Sequence, residues 1–266
     1  NNLSLRTCRK TIWGFAMIVD GHTHIVSNFG NPSIINVKFD WDTLEQWLVS
    51  EPESKCVIIP KIVQFCDSFA LNLDFFERVK GFPQKNRVFP FLWIHPNQLM
   101  EDHFKRFVFS GFKFHSSISQ TTIAENEEML HLCEKYKKPI LVHCGRNEKS
   151  RIDYVLKVNE HHPDLKFICA HMGGLATDLI VRAYERISQS NYLDNIYLDT
   201  SGCFHPELIA KAVQLLGNDK IIFGTDRPFH SYKMSLYAVD CCSFDEKTKR
   251  KILSDNILNI LHTNFK

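Results

Sequence analysis

The sequence predicts an α/β protein folded as a single (β/α)8 TIM barrel, and three observations carry that prediction. Eight short apolar runs alternate with longer amphipathic stretches along the chain. The runs are near-continuous in Val, Ile, Leu and Phe instead of alternating with polar residues, as expected of parallel strands buried on both faces. The chain has 266 residues, 44% of them hydrophobic, and a barrel of this kind needs about 250 residues.

The predicted strands are "AMIVDGH" (16–22), "KCVIIP" (55–60), "VFPFLWIH" (88–95) and "GFKFH" (111–115). They continue with "PILVHCG" (139–145), "KFICAHMG" (166–173), "NIYLDTSG" (195–202) and "KIIFGTD" (220–226). Between them, 124–138 reads as a helix because Met129, Leu130, Leu132 and Cys133 recur at helical spacing behind an acidic start and ahead of a basic end. Residues 205–219 do so with Pro206 early and Gly217 at the close. A last helix over 245–262 is expected to break around Ser254 to Asn256. Residues 26–40 and 227–243 read as long irregular stretches after strands, where barrel loops build the active face, and are candidate lids.

No linker or repeat divides the chain, so residues 17–266 are expected to form one domain behind an N-terminal extension, 1–16. Arg6, Arg9 and Lys10 before an apolar run imitate a secretory signal, but the run is short and no small-residue cleavage site follows. Nine scattered cysteines without a C-x-x-C spacing point to a reduced, cytoplasmic setting. No run approaches the roughly 18 apolar residues of a membrane span. A net charge of +2, from 32 basic and 30 acidic residues, supplies no field for nucleic acid or an anionic membrane. No dinucleotide, phosphate-loop, serine-hydrolase or H-E-x-x-H motif appears.

The chemistry concentrates at predicted strand ends. His22 and His24 share strand parity at the end of the first, so both can reach one metal ion. His143, His171 and Asp226 each close an apolar run before a glycine or a turn. Any one of these histidines alone reads as an ordinary hydrogen-bonded side chain; five metal-type ligands at four strand ends do not. Imidazole with carboxylate suits Zn2+, with Mn2+, Fe2+ and Co2+ as alternatives, and such an ion brings the pKa of bound water to about 7.

Lys113 and His115 share parity and, with His95, are expected to face the mouth as substrate contacts; rim hydrogen bonding is the competing reading for the two histidines. Arg146 and Arg227 are either forks for an anionic group or solvated loop charges. Asp199 is either an acceptor that orients a ligand histidine or the partner of a neighbouring cation. Phe29, Phe204 and Phe229 follow strand ends and can line an apolar pocket.

Taken together, "DGHTH", "GFKFH", "LVHCG", "CAHMGG", "LDTSG", "FGTDRPF" and the late "SDNILNIL" resemble the amidohydrolase superfamily. The likeness is to its amidohydrolase-related branch of small metal-dependent hydrolases and decarboxylases. The resemblance implies that His22, His24, His143 and Asp226 hold one divalent metal ion. It implies that His171 stands beside the metal water as base or electrophile, or ligates where two metals bind, and that Asp226 takes the proton of the attacking water. Lys113 would be an unmodified cation for a substrate carboxylate or, if carbamylated, a bridge to a second metal.

The implied activity is hydrolysis of a lactone, ester or amide in a small, anionic molecule. The alternatives are decarboxylation of an aromatic or unsaturated acid and a barrel that binds without catalysis. A homodimer is expected by analogy with relatives.

Overall fold

The computed structural model describes residues 17–29, 37–60, 67–98, 101–191 and 193–262. Among them all eight expected strands form and lie side by side in one parallel ladder. These are β1 (Val19–Phe29), β3 (Lys55–Pro60), β4 (Val88–Trp93) and β5 (Gly111–Phe114), then β6 (Ile140–Val142), β7 (Phe167–Cys169), β8 (Ile196–Asp199) and β9 (Ile221–Ile222). The ends of the ladder meet. Gly21 N–H donates to Phe223 O at 2.8 Å, Asp226 N–H to His22 O at 2.7 Å and His24 N–H to Arg227 O at 2.8 Å. The sheet therefore curls into the expected barrel, although β9 itself is only two residues long and closure relies on the extended segment that follows it.

The seam is tight enough to require glycine. A Cβ on Gly21 would lie 2.8 Å from Ile222 Cγ2 and 3.0 Å from Phe223 O. Asp20 then staples the two strands: it accepts from Thr225 N at 3.0 Å and Thr225 Oγ1 at 2.7 Å, and pairs with Arg227 Nη2 at 3.1 Å.

Inside the barrel, Val19, Val57, Ile59, Phe91, Leu141 and Ile168 form one apolar cluster with Ile257 and Ile260. The opposite strand faces, including Ile58, Leu92, Phe112 and Phe167, pack on the surrounding helices. Burial on both sides is why the strands read as unbroken apolar runs. Asp40 caps α1 (Trp41–Ser50) by accepting from Thr43 N, and Asp67 caps α2 (Ser68–Gly81) through Phe69 N and Ala70 N.

Several details differ from the sequence reading. The stretch 26–40 holds the end of β1 and a short strand, β2 (Val37–Phe39), antiparallel to it; residues 30–36 lie outside the described residues. The stretch 227–243 is not an irregular lid: a helix, Tyr232–Asp240, fills most of it, capped by the Ser231 side chain on Met234 N. The last helical region does break, through one π turn at Lys251–Asp255 before the helix Asn256–His262. At that turn Ile252 O accepts from Phe223 N–H at 2.8 Å, so the irregularity hands a carbonyl to the strand edge. Asn256 Nδ2 donates to Asn218 O and Ile221 O, both at 2.7 Å.

The proposed extension 1–16 lies outside the described residues. Seven cysteines are described and all are free thiols. No helix among the described residues is long and apolar enough to cross a membrane.

Candidate metal centre

β1 aims its histidines with a bulge. Asp20 pairs with Cys56 and Thr23 with Ile58, so one extra residue is inserted between them. Val19 and Ile59 face the barrel interior, and the insertion lets His22 and His24 face inward too despite their opposite parity to Val19. Across the seam Asp226 adopts a left-handed backbone (φ 56°), locked by its N–H on His22 O at 2.7 Å, which turns its carboxylate back toward the histidines.

These three residues meet in an equilateral triangle. His22 Nε2 is 3.3 Å from His24 Nε2, and each of those atoms is 3.3 Å from Asp226 Oδ1. Adjacent donors held at about 2.1 Å from a single ion stand roughly 3.0–3.4 Å apart, so the triangle has the dimensions of one metal's ligand face. Both histidines are almost wholly buried, and Asp226 is 9% exposed.

The protonation states suit a cation. Burial, then the Lys113 charge, pushes His22 down to about 4, leaving the neutral imidazole that metals bind. Burial opposes ionisation of Asp226, but His22, His24 and His171 hold its carboxyl well below the usual range. Behind the triangle, His22 Nδ1 donates to Asp199 Oδ2 at 2.9 Å. Burial raises the Asp199 carboxyl, and the outweighing attraction and hydrogen bond of His22 bring it down to about 2.

His171, also left-handed (φ 59°), is fixed by its N–H on Asp199 Oδ1 at 3.0 Å and by Ser201 Oγ, 2.9 Å from its Nδ1. His143 falls outside the triangle. Its Nδ1 lies 3.2 Å from His171 Nε2, and its ring stacks on His115 with centroids 3.8 Å apart and planes 8° off parallel. Gly145 makes room for that ring, since a Cβ there would lie 2.8 Å from His143 Nε2. Lys113 Nζ sits 3.2 Å from His22 Nε2, and burial pushes its ammonium down to about 8 against the pull of Asp226 and Asp199.

His115 shares this stack; burial above all, then Lys113, pushes its imidazole down to about 2. His95 is half-buried, its Nδ1 accepting from Asn97 N at 3.3 Å. Phe229 lies edge-on to His24 at 5.6 Å and Phe204 to His230 at 5.6 Å.

Arg227 is not a solvated charge. It is 6% exposed, and its guanidinium lies 3.9 Å from the Trp47 ring centroid, 4.4 Å from Phe39 and 4.7 Å from Tyr232, so it serves the seam. Arg146 is exposed. One residue of the site escaped the sequence reading: His230 Nε2 stands 3.9 Å from Asp226 Oδ2, and His171, Asp226 and His230 form a second group with ligand atoms within 4.8 Å of one another. Its only signal was a position four residues after Asp226, in a stretch read as irregular.

A family model described as Amidohydrolase, of the amidohydrolase-2 group, matches residues 70–262. The chain belongs to this amidohydrolase family. The match begins after β3, so His22 and His24 lie outside it. The 5-carboxyvanillate decarboxylase of Sphingomonas paucimobilis superposes with a TM-score of 0.73 at 12% identity, covering 92% of this chain and 98% of that one. A dihydroxybenzoic acid decarboxylase from Polaromonas sp. JS666, with bound manganese and the inhibitor 2-nitroresorcinol, gives 0.68 at 16% identity over 92% and 96%. In sequence, the gamma-resorcylate decarboxylase of Polaromonas sp. (strain JS666 / ATCC BAA-500) is 28% identical over 124 residues, 40% of this chain. That match spans 36% of the relative's length.

Proposed function

We propose that this amidohydrolase is a metal-dependent decarboxylase of aromatic acids that carry a hydroxyl beside the carboxylate. The observation that carries the reading is the His22–His24–Asp226 triangle with the Lys113 ammonium at its edge. Two adjacent positive centres match a substrate with two adjacent oxygen anions, a carboxylate and a phenolate. The named relatives, decarboxylases of such acids, support the same choice over the hydrolysis expected from sequence. Manganese in one of them supports Mn2+ over the Zn2+ expected first.

The donors present fit a divalent ion, with His143 reaching the triangle through His171. Bound there, the ion would supply positive charge that holds the substrate oxygens and keeps the phenol ionised. Lys113 pairs with the carboxylate and fixes the ring's orientation. Asp226 carries the proton to the ring carbon that bears the carboxylate, and His171 and His230 on its flank exchange that proton with the mouth. The carbon–carbon bond then breaks, carbon dioxide leaves, and the electron pair of the broken bond returns to the ring, replacing the pair the ring gave to the new C–H bond and restoring its aromaticity. The stacked His143 and His115, kept neutral by burial, exclude water from one wall.

The test is incubation of Mn2+-loaded protein with hydroxybenzoates and, in parallel, with lactones, aryl esters and amides. Loss of carbon dioxide from an ortho-hydroxybenzoate is the expected result. Turnover confined to lactones or esters would restore the water-activating hydrolase, and turnover of nothing would favour the binding barrel.

A further inference from the structure

We propose that Glu127, His131 and His162 form a second site, for a divalent ion of the Zn2+ kind, on the outer wall of the barrel and independent of the mouth. Glu127 and His131 stand one turn apart on α3 (Glu127–Tyr136), and His162 caps the C-terminus of α4 (Ile152–His161). His162 Nε2 is 3.1 Å from Glu127 Oε1 and His131 Nε2 is 3.4 Å from the same oxygen. The three ligand atoms lie within 4.8 Å of one another. Ligands of a tetrahedral zinc ion at about 2.0–2.1 Å stand roughly 3.3 Å apart.

Two features separate this cluster from a surface salt-bridge network. The first is Glu134, which holds the far nitrogen of both rings: Oε1 is 2.7 Å from His162 Nδ1 and Oε2 is 3.2 Å from His131 Nδ1. A carboxylate on Nδ1 fixes the proton there and leaves Nε2 as a lone pair, which is how metal-ligating histidines are usually oriented. Here one carboxylate does this for two rings at once and leaves an Nε2 lone pair on each, both nitrogens within 3.4 Å of Glu127 Oε1. Burial opposes ionisation of Glu134, yet its hydrogen bonds to His162 and His131 keep it below the usual carboxylate range.

The second feature is His162 itself. Its side chain is 4% exposed, and its Nε2 has no hydrogen-bond partner, the nearby Glu127 oxygen lying off the direction an N–H would take. A buried imidazole nitrogen without a partner costs free energy that a bound cation would remove. His131 and Glu127 are exposed, at 63% and 64%, so a fourth position opens to water and the ion can enter. Bound, it would clip α3 to the end of α4.

The full-length protein is titrated with Zn2+ and its metal content measured after gel filtration, for the wild type and the His131→Ala, Glu127→Gln and Glu134→Gln variants. The expected result is one zinc more in the wild type than in His131→Ala. Glu127→Gln and Glu134→Gln should bind that ion at least 10-fold more weakly, and thermal stabilisation by added Zn2+ should shrink in all three variants. Turnover at the mouth should be unchanged, which separates failure here from failure of the decarboxylase reading. A wild type that takes up no more zinc than His131→Ala overturns the proposal, as does an extra ion whose affinity none of the three changes. His162 is left intact because its loss from a buried position can unfold the chain.

Discussion

Asp199 Oδ2 accepts the Nδ1 proton of His22 across 2.9 Å of interior from which water is excluded. The bond joins β8 to β1, with β9 between them at the seam, and settles which nitrogen of His22 is free. It leaves Nε2 facing His24 and Asp226. Replacing Asp199 with Asn removes the charge that favours this tautomer, and metal affinity should fall about 10- to 100-fold with the fold retained. A chelator competition assay measures the first and circular dichroism the second.

Lys113 separates two accounts of the mouth. As an unmodified cation that pairs with the substrate carboxylate, its replacement in Lys113→Met should raise KM for acid substrates roughly 10-fold or more while metal content stays constant. Metal loss in the same variant, together with a wild-type metal content that rises on added bicarbonate, would instead identify a carbamate bridging two ions.

Arg227 holds the barrel seam. It is buried among three aromatic rings and paired with Asp20 at 3.1 Å, so Arg227→Met leaves a carboxylate buried without its partner. Urea unfolding should show a loss of about 3 kcal/mol or more. A variant of unchanged stability with a raised KM would return the residue to the substrate.

Asp40 gives a pH-dependent contribution far from the site. Its carboxylate accepts from Thr43 N at 2.9 Å and from Thr43 Oγ1 at 2.6 Å. Burial acts to raise its pKa, but those bonds and Lys38 outweigh it and lower it below the unfolded value. A depressed carboxylate stabilises the fold above the unfolded pKa, about 4, and loses that contribution as the pH falls through the folded pKa. Asp40→Ala should cost about 1 kcal/mol at neutral pH, and the gap from wild type should narrow in acid. A gap constant from pH 7 to pH 3 would show that the carboxylate's charge is irrelevant.

The barrel was legible because its strands are short, apolar and buried on both faces, a pattern that needs no tertiary information. His22 and His24 were legible for a related reason, since residues two apart on a strand share a face. The β1 bulge was not, because an inserted residue is visible only against the partner strand. Asp20 stood in the same motif without revealing its job, which depends on Thr225 and Arg227 some 200 residues later. His230 and the helix around Tyr232 lay in a stretch whose course is set by barrel closure. The outer cluster combines Glu127, His131 and Glu134 with His162, about thirty residues away on another helix, so no local pattern announced it.

The central claim is that His22, His24 and Asp226 hold a divalent ion, and metal content tests it most directly. His131→Ala protein, in which the outer cluster is broken, should carry about one Mn2+ per chain after loading and gel filtration. Adding His24→Ala should reduce that to none while circular dichroism stays unchanged. Equal metal in the two proteins, or none in either, would contradict the account.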